Sequence, residues 1–304
     1  MKYNLITILG PTAVGKTRLG ALLAGKFNGE IISADSRQVY VGMDIGSGKD
    51  IEDYIVDGKT ITSYLVDVID PKEEFDLFKF NQMFYPAFET IQKKEKTPFL
   101  VGGTGLYIDS VLRKYEMVPV DFESSRAKEL YEKPEDELRN VLQKLNPALH
   151  NTTDLEIKER IVKAILIEET KLKNPPVERP AINSLVIGVA PDREAVKKKI
   201  TARLKIRLKE GMIEEVETLL KKGVTFEKLM FFGLEYKFVG QYLKDEINYN
   251  DMFQKLNSSI HKFAKRQMTF FRKMEKEGVK INWINGADVE VAEKLIKENY
   301  FDIE

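Results

Sequence analysis

Residues 5 to 9, Leu-Ile-Thr-Ile-Leu, are nearly continuously apolar and too short for a helix. Such a run predicts a strand buried on both faces, as in a parallel sheet. From Lys16 the spacing changes to helical, with Leu19, Leu22, Leu23 and Phe27 on one face of a segment over 16–27. Glu30 to Ser33 reads as a second short strand, and Ile61 to Val68 as a third. Residues 78–95 predict a helix whose apolar side carries Phe80, Met83, Phe84, Ala87, Phe88 and Ile91. Pro98 to Val101 is again a buried strand, followed directly by Gly102-Gly103-Thr104-Gly105 and another helix. Strand, loop, helix and strand in this order open an α/β fold with a parallel sheet.

The character changes near residue 114. From there to about residue 180 the chain is helical, polar and punctuated by Pro119, Pro134, Pro147 and the pair Pro175-Pro176. Leu185 to Val189 restores an apolar strand. Residues 193–221 then read as helical, with Ile200, Leu204, Ile206 and Leu208 apolar and a break at Gly211. A long helix over 250–275, a strand at Ile281 to Ile284 and a terminal helix from Asp288 complete the pattern. We therefore expect residues 1–114 and 184–304 to form an α/β core, a parallel sheet flanked by helices. Residues 115–183 would be a helical insertion domain, with borders good to about fifteen residues.

Between the first strand and first helix lies Gly10-Pro11-Thr12-Ala13-Val14-Gly15-Lys16-Thr17, which fits the G-x-x-x-x-G-K-[ST] phosphate loop. Gly10 and Gly15 allow successive backbone N–H groups to turn inward on an anion, and the helix presents its positive N-terminus to the same oxygens. Lys16 supplies a point charge, and the Thr17 hydroxyl is placed to ligate Mg²⁺ beside the phosphates. The core is thus P-loop NTPase-like. The loop reports a nucleotide or another di- or triphosphate, without saying what happens to it.

Other segments sit where a parallel sheet collects ligands, beyond the carboxyl ends of its strands. Asp35 follows the second strand and should face the crevice of Lys16. It could take a proton or order metal-bound water, and an Asx turn is the bland alternative. Gly42-Met43-Asp44-Ile45-Gly46-Ser47-Gly48-Lys49 reads as an irregular loop over the site. Thr104 offers a hydroxyl from the glycine-rich turn after the fourth strand. Arg160 and Lys163 are three apart on one helical face, and Arg203 and Arg207 four apart on another, a spacing suited to gripping phosphate. Phe263 to Arg272 interleaves aromatics with cations, which could stack on bases or simply face the core.

Composition narrows the chemistry. Lys plus Arg and Asp plus Glu are 48 each among 304 residues, so the formal charge is zero. From Arg193 to Lys280 there are 21 basic and 12 acidic residues, an excess of 21 − 12 = 9 that could serve a polyanion. Without cysteine there are no disulfides, thiolate metal sites or cysteine nucleophiles. His150 and His261 are the only histidines, too few for a His-rich metal site. The first strand begins almost at once, with no signal-like or spanning apolar run, so a cytoplasmic protein free of the membrane is expected.

Taken together, the segments resemble the tRNA dimethylallyltransferases, also called tRNA isopentenyltransferases. The matching blocks run in order: Gly-Pro-Thr-Ala-Val-Gly-Lys-Thr at 10, Ser-Ala-Asp-Ser-Arg-Gln-Val-Tyr at 33 and Gly-Met-Asp-Ile-Gly at 42. Val-Gly-Gly-Thr-Gly-Leu-Tyr at 101, Asp-Arg at 192 with Arg203, and Ala-Lys-Arg-Gln-Met-Thr-Phe-Phe-Arg at 264 complete the series. The resemblance implies transfer of the prenyl group of dimethylallyl diphosphate to N6 of adenosine 37, beside the anticodon of tRNA. It implies a phosphate loop, residues 10–17, that holds the diphosphate as a leaving group, with Lys16, Arg203 and Mg²⁺ at Thr17 taking up its charge. Asp35 would be the base toward N6–H, and Thr104 would position that base. Ser36, Arg37 and Gln38 would clamp the flipped nucleotide, while Arg160, Lys163 and Arg266 would meet the anticodon stem-loop. A monomer is expected.

Several positions depart from the family pattern. Phe270 stands where the family usually has Trp, and Lys163 where it has Arg, which keeps the charge but loses the bidentate fork. Gly233-Leu234-Glu235-Tyr236-Lys237 is two residues longer than the family's usual segment, and no RNA role is assigned to it. His261 replaces part of a Thr-Arg pair and reads as a solvated or packed helix residue. Rival readings are an adenylate isopentenyltransferase acting on a free nucleotide, a P-loop nucleoside or small-molecule kinase, and a non-catalytic RNA-binding protein. The insertion and the basic C-terminal half speak against the first, and the absence of an Arg-rich lid segment against the second. The third leaves Lys16, Thr17 and Asp35 without work.

Overall fold

The structure is a computed structural model that describes residues 3–147, 157–174 and 179–301. His150 and the Pro175-Pro176 pair lie outside the described residues. The first strand, β1 (Leu5–Leu9), is buried at all five positions and leads through the glycine-rich loop into α1 (Lys16–Lys26) and β2 (Gly29–Ala34). Short elements come next. A 3-10 turn at Ile51–Tyr54 precedes the antiparallel pair β3 (Ile55–Val56) and β4 (Lys59–Thr60), joined by Asp57-Gly58 with φ of 49° and 74°. Two central residues with positive φ suit the twist of a tight hairpin. The expected strand over 61–68 shrinks to β5 (Ser63–Tyr64), because Leu65 and Asp67 turn to φ of 62° and 53° and leave the ladder.

Asp76 caps α2 (Leu77–Lys93) by accepting the Lys79 N–H at 2.8 Å, and the helix buries Phe80, Phe84, Phe88 and Ile91 as its spacing predicts. β6 (Thr97–Gly102) and α3 (Gly105–Leu112) come next. The described residues of the next segment hold α4 (Ser125–Glu132), α5 (Glu135–Leu145) and α6 (Lys158–Lys173), after which the chain returns to β7 (Ser184–Val189). Then come α7 (Arg193–Lys209), α8 (Met212–Lys221), α9 (Phe226–Phe231), α10 (Leu234–Leu243), α11 (Tyr249–Lys276), β8 (Ile281–Ile284) and α12 (Val289–Asn299). Gly211, at φ 103°, breaks α7 from α8. On α7 the buried face is Val196, Ile200, Leu204 and Arg207, so Ile206 lies off it and is 53% exposed, contrary to its apolar reading.

The larger sheet has the order β5-β2-β6-β1-β7-β8 with every pairing parallel. β2, β6 and β1 are therefore neighbours, although their sequence positions are far apart. Their carboxyl ends bring together Asp35, Gly103-Thr104 and the phosphate loop. In an open parallel sheet this is where ligands bind.

The chain forms two compact units, Met1–Lys114 with Ala181–Glu304, and Tyr115–Pro180. The first holds the sheet and its helices around one core. The second packs α4, α5 and α6 over Ala127, Leu130, Leu138, Leu142, Ile161, Val162, Ile165 and Leu166. No helix among the described residues is long and apolar enough to cross a membrane.

Candidate active site

The phosphate loop takes its shape from two left-handed residues, Ala13 at φ 63° and Gly15 at φ 86°, the latter capping α1. Alternation of left- and right-handed backbone turns consecutive N–H groups to one side and makes an anion nest. The Lys16 ammonium folds back and donates to the Pro11 carbonyl at 2.6 Å. Burial pulls its pKa from 10.5 down to about 8, with Asp35 opposing the shift and Arg203 adding to it. A lysine so desolvated gains much from an incoming anion, which restores its preference for the charged form.

Asp35 stands one residue past β2. Its Oδ1 accepts the Arg37 N–H at 3.0 Å, so the Asx turn is real, and the same carboxylate lines the cavity. Thr104, past β6, accepts the Ser36 N–H on Oγ1 at 3.1 Å, and its own N–H donates to Ala34 O at 3.1 Å. The two strand ends are thereby stitched together. Because Thr104 Oγ1 is already an acceptor, its single O–H remains to be donated elsewhere.

Two arginines of α7 close another side. Arg203 and Arg207 reach Asp50 at 3.2 and 3.4 Å, and Arg203 also donates to Gly48 O at 3.4 Å. Burial, and then the neighbouring Arg207, depress the Arg203 pKa, with Asp50 resisting. The 42–49 segment does cover the site: Ser47 and Gly48 face the cavity. Buried Lys49 fastens this segment by donating to Tyr40 O at 2.8 Å and pairing with Asp44 at 2.7 Å and with Asp67.

These groups enclose a cavity of about 250 Å³. Thr12, Ala13, Gly15, Lys16 and Thr17 line it from the phosphate-loop side, and Asp35, Ser36, Arg37 and Gln38 from the end of β2. Thr104 and Arg203 complete the set singled out from sequence. Gln38 is buried and already committed, with Nε2 on Gly48 O at 3.2 Å and Oε1 near Ser33 Oγ at 3.3 Å. Gly10, Pro11 and Val14 shape the loop without lining the cavity. Arg160, exposed on α6, Lys163, paired with Glu159 at 2.7 Å, and Arg266, exposed on α11, are not among the lining residues.

The lining also holds Asp50, Asp53, Arg207, Glu235, Phe263 and Gln267. Of these, Arg207 was visible as the second arginine of a spaced pair, and Gln267 lay inside the Ala-Lys-Arg-Gln block. No local signal marked Asp50, Asp53 or Glu235. The interleaved aromatics divide: Phe271 is buried in the core, Phe270 packs where a Cβ on Gly105 would sit, and only Phe263 reaches the cavity. His261 packs, its Nε2 lying 3.3 Å from Thr201 Oγ1.

The donor set has the chemistry of a Mg²⁺ site completed by phosphate. Thr17, Asp35 and Asp53 present oxygen, the ligand type a hard cation takes. Asp53 has its pKa raised by burial and by Asp50, against Arg203, so a cation there would relieve an unfavourable charge. Among the described residues no group of three acidic or histidine side chains could hold an ion unaided. Mg²⁺ commonly binds with one or two carboxylates, water and substrate phosphates, and the residues fit that mode.

A parallel sheet whose first strand runs into a phosphate loop, with a carboxylate and two arginines in the same cavity, defines a P-loop protein with a site for a phosphorylated substrate. The family model described as IPP transferase matches residues 38–274, and the chain belongs to that family. The match starts after residues 10–17 and Asp35, so those rest on the geometry above. The chain is 48% identical over 286 residues to tRNA dimethylallyltransferase 1 of Geotalea uraniireducens, covering 94% of each chain. It is 48% identical over 295 residues to tRNA dimethylallyltransferase 2 of Bacteroides fragilis, covering 96% of each. The fold is similar to the full-length tRNA isopentenylpyrophosphate transferase of Bacillus halodurans, with TM-score 0.69 and 28% identity over 99% of this chain and 95% of that one. A eukaryotic dimethylallyltransferase acting on tRNA shares the fold at TM-score 0.76 and 20% identity, over 98% of this chain and 79% of the other.

Proposed function

We propose that this chain transfers the dimethylallyl group of dimethylallyl diphosphate to N6 of adenosine 37 of tRNA in the cytoplasm, releasing diphosphate. One observation carries the reading: Lys16 and Thr17 of the phosphate loop share a cavity with Asp35 and Thr104. A prenyl transfer needs an anion site for the leaving group and a proton acceptor for the nucleophile within one short reach.

In this mechanism the C1–O bond of the donor breaks and its electron pair stays on the diphosphate. Lys16, Arg203 and the N–H groups of residues 13–17 take up the growing negative charge, which is the preorganised electrostatic work of the site. Mg²⁺, held by Thr17 together with a carboxylate such as Asp53, would supply further charge neutralisation at the diphosphate. The N6 lone pair forms the new bond to C1, and the N6 proton passes to the Asp35 carboxylate. The Thr104 hydroxyl orients the base or the carboxylate through its remaining donor. Ser36, Arg37 and Gln38 shape the entrance where a base turned out of the loop would lie. Arg160, Lys163 and Arg266 would neutralise phosphates of the anticodon stem-loop.

The test is a side-by-side transfer assay with labelled dimethylallyl diphosphate and Mg²⁺. Label on unmodified tRNA with adenosine at 37, and none on the guanosine variant or on AMP, supports the reading. Label on AMP alone moves the protein to the free-nucleotide branch, and no transfer directs attention to ATP-dependent chemistry.

A further inference from the structure

Gly233-Leu234-Glu235-Tyr236-Lys237, left without a role by its sequence, forms the entry and first turn of α10 and places Glu235 in the cavity wall. Glu235 is 8% exposed and lines the cavity, with Oε2 on Arg37 Nη1 at 3.3 Å. The face of the Phe263 ring lies 5.4 Å from the Arg37 guanidinium carbon. Gly233 bounds the same guanidinium. At φ 116° and ψ −171° its backbone is open to glycine alone, and a Cβ there would overlap the Arg37 side chain. Arg37 is thus held by a carboxylate, a ring and a backbone.

Tyr236 works in the other direction. It is fully buried, fills the space a Cβ on Gly46 would need, and donates its O–H to Glu215 Oε1 at 2.9 Å. The Glu215 carboxylate accepts three consecutive backbone N–H groups, from Asp44 at 2.8 Å, Ile45 at 2.6 Å and Gly46 at 3.0 Å. That fixes the turn carrying Gly48, whose carbonyl accepts from both Gln38 and Arg203. Tyr236 therefore reaches Arg203 through Glu215 and the 44–48 turn.

We infer that this turn is a two-way brace in which Glu235 positions Arg37 for the acceptor nucleotide and Tyr236 positions the 44–48 turn and Arg203 for the donor diphosphate. The inference rests on the prenyl-transfer reading above. Neither residue needs to contact the reacting atoms. Their effects must then fall more heavily on the binding of one substrate than on the other.

The experiment compares KM for tRNA and for dimethylallyl diphosphate in the wild-type enzyme and in Glu235→Gln, Tyr236→Phe and Arg37→Ala. Glu235→Gln keeps the volume but loses the charge-assisted bond, and should raise KM for tRNA roughly tenfold while changing that for the diphosphate much less. Tyr236→Phe should raise KM for the diphosphate roughly fivefold and that for tRNA by a smaller factor, because Gln38 hangs on the same Gly48 carbonyl as Arg203. Glu235→Asp should restore part of the loss. The Glu235→Gln/Arg37→Ala pair should be no worse than Arg37→Ala alone, as residues of one unit are. Thermal melts confirm that each variant is folded. The brace is overturned by variants that move neither constant, by ones that move both alike, or by losses that multiply in the double variant. A wild-type enzyme that transfers nothing to tRNA overturns the functional reading itself, and the brace falls with it.

Discussion

The side-chain oxygen of Gln267 accepts the backbone N–H of Thr12 at 2.9 Å, 255 residues away in sequence, and the amide nitrogen donates to Gly103 O at 2.8 Å. One buried amide on α11 thus joins the phosphate loop to the turn after β6. Gln267→Leu would leave both backbone groups unpaired, and each buried orphan costs about 1–3 kcal/mol. A stability loss of roughly 2–6 kcal/mol and a lowered melting temperature should be seen in calorimetry. Gln267→Glu keeps the acceptor but sets a carboxylate against Gly103 O. That variant should lose diphosphate affinity more than stability, and an unchanged inhibition constant for pyrophosphate would count against the link.

Lys16 gives the site a pH signature. Its pKa of about 8 means that the free enzyme loses this positive charge as pH rises through that value. Diphosphate binding needs the charge, so kcat/KM for dimethylallyl diphosphate should be level below about pH 8 and fall toward tenfold per unit above it. Bound diphosphate stabilises the ammonium, which moves the limb to higher pH in kcat. Lys16→Arg should abolish the alkaline limb even if the rate is lower, because a guanidinium keeps its proton. A limb that survives in that variant would assign it to another group.

The carboxylate of Asp35 has two duties that a substitution can separate. Its Oδ1 holds the Arg37 N–H, a contact asparagine can keep, whereas only a carboxylate can accept the N6 proton. Asp35→Asn should therefore lower kcat by about 10²–10⁴ while tRNA affinity stays within a few-fold. Single-turnover transfer and a separate filter-binding measurement read the two quantities. Near wild-type turnover would remove Asp35 as the base.

Much of this site was legible because parallel strands announce themselves as short apolar runs and carry the next few residues to one edge of the sheet. Lys16, Asp35 and Thr104 each stand one to seven residues beyond such a run, at the ends of β1, β2 and β6. Asp50, Asp53 and Glu235 carry no such marker. They reach the cavity from irregular or helical segments, and their direction is decided by tertiary packing. The stretch around Phe231-Phe232-Gly233 was equally opaque, since its apolar residues fit no single period. In the structure Phe232 is buried while Phe231 stands 84% exposed at the end of α9. The overlong strand at 61–68 failed for a simpler reason. Apolar alternation cannot reveal that Leu65 and Asp67 are left-handed.

The basic surface of α11 yields a prediction that depends on charge alone. Leu256, Ile260, Ala264, Gln267, Phe271 and Met274 face inward, so Lys265, Arg266 and Arg272 are left exposed on the outer side. Among the described residues no carboxylate pairs with Arg266. A cation with no internal partner has the whole of its counterion atmosphere to exchange for a phosphate. Arg266→Ala should therefore weaken tRNA binding most at low salt and reduce the slope of log K against log salt by about 0.7–0.9, the share of one phosphate contact. The transfer rate at saturating tRNA should not change, since Arg266 lies outside the cavity lining. Titrations of labelled tRNA across a salt series decide the matter: parallel lines for wild type and variant would mean that Arg266 meets no phosphate.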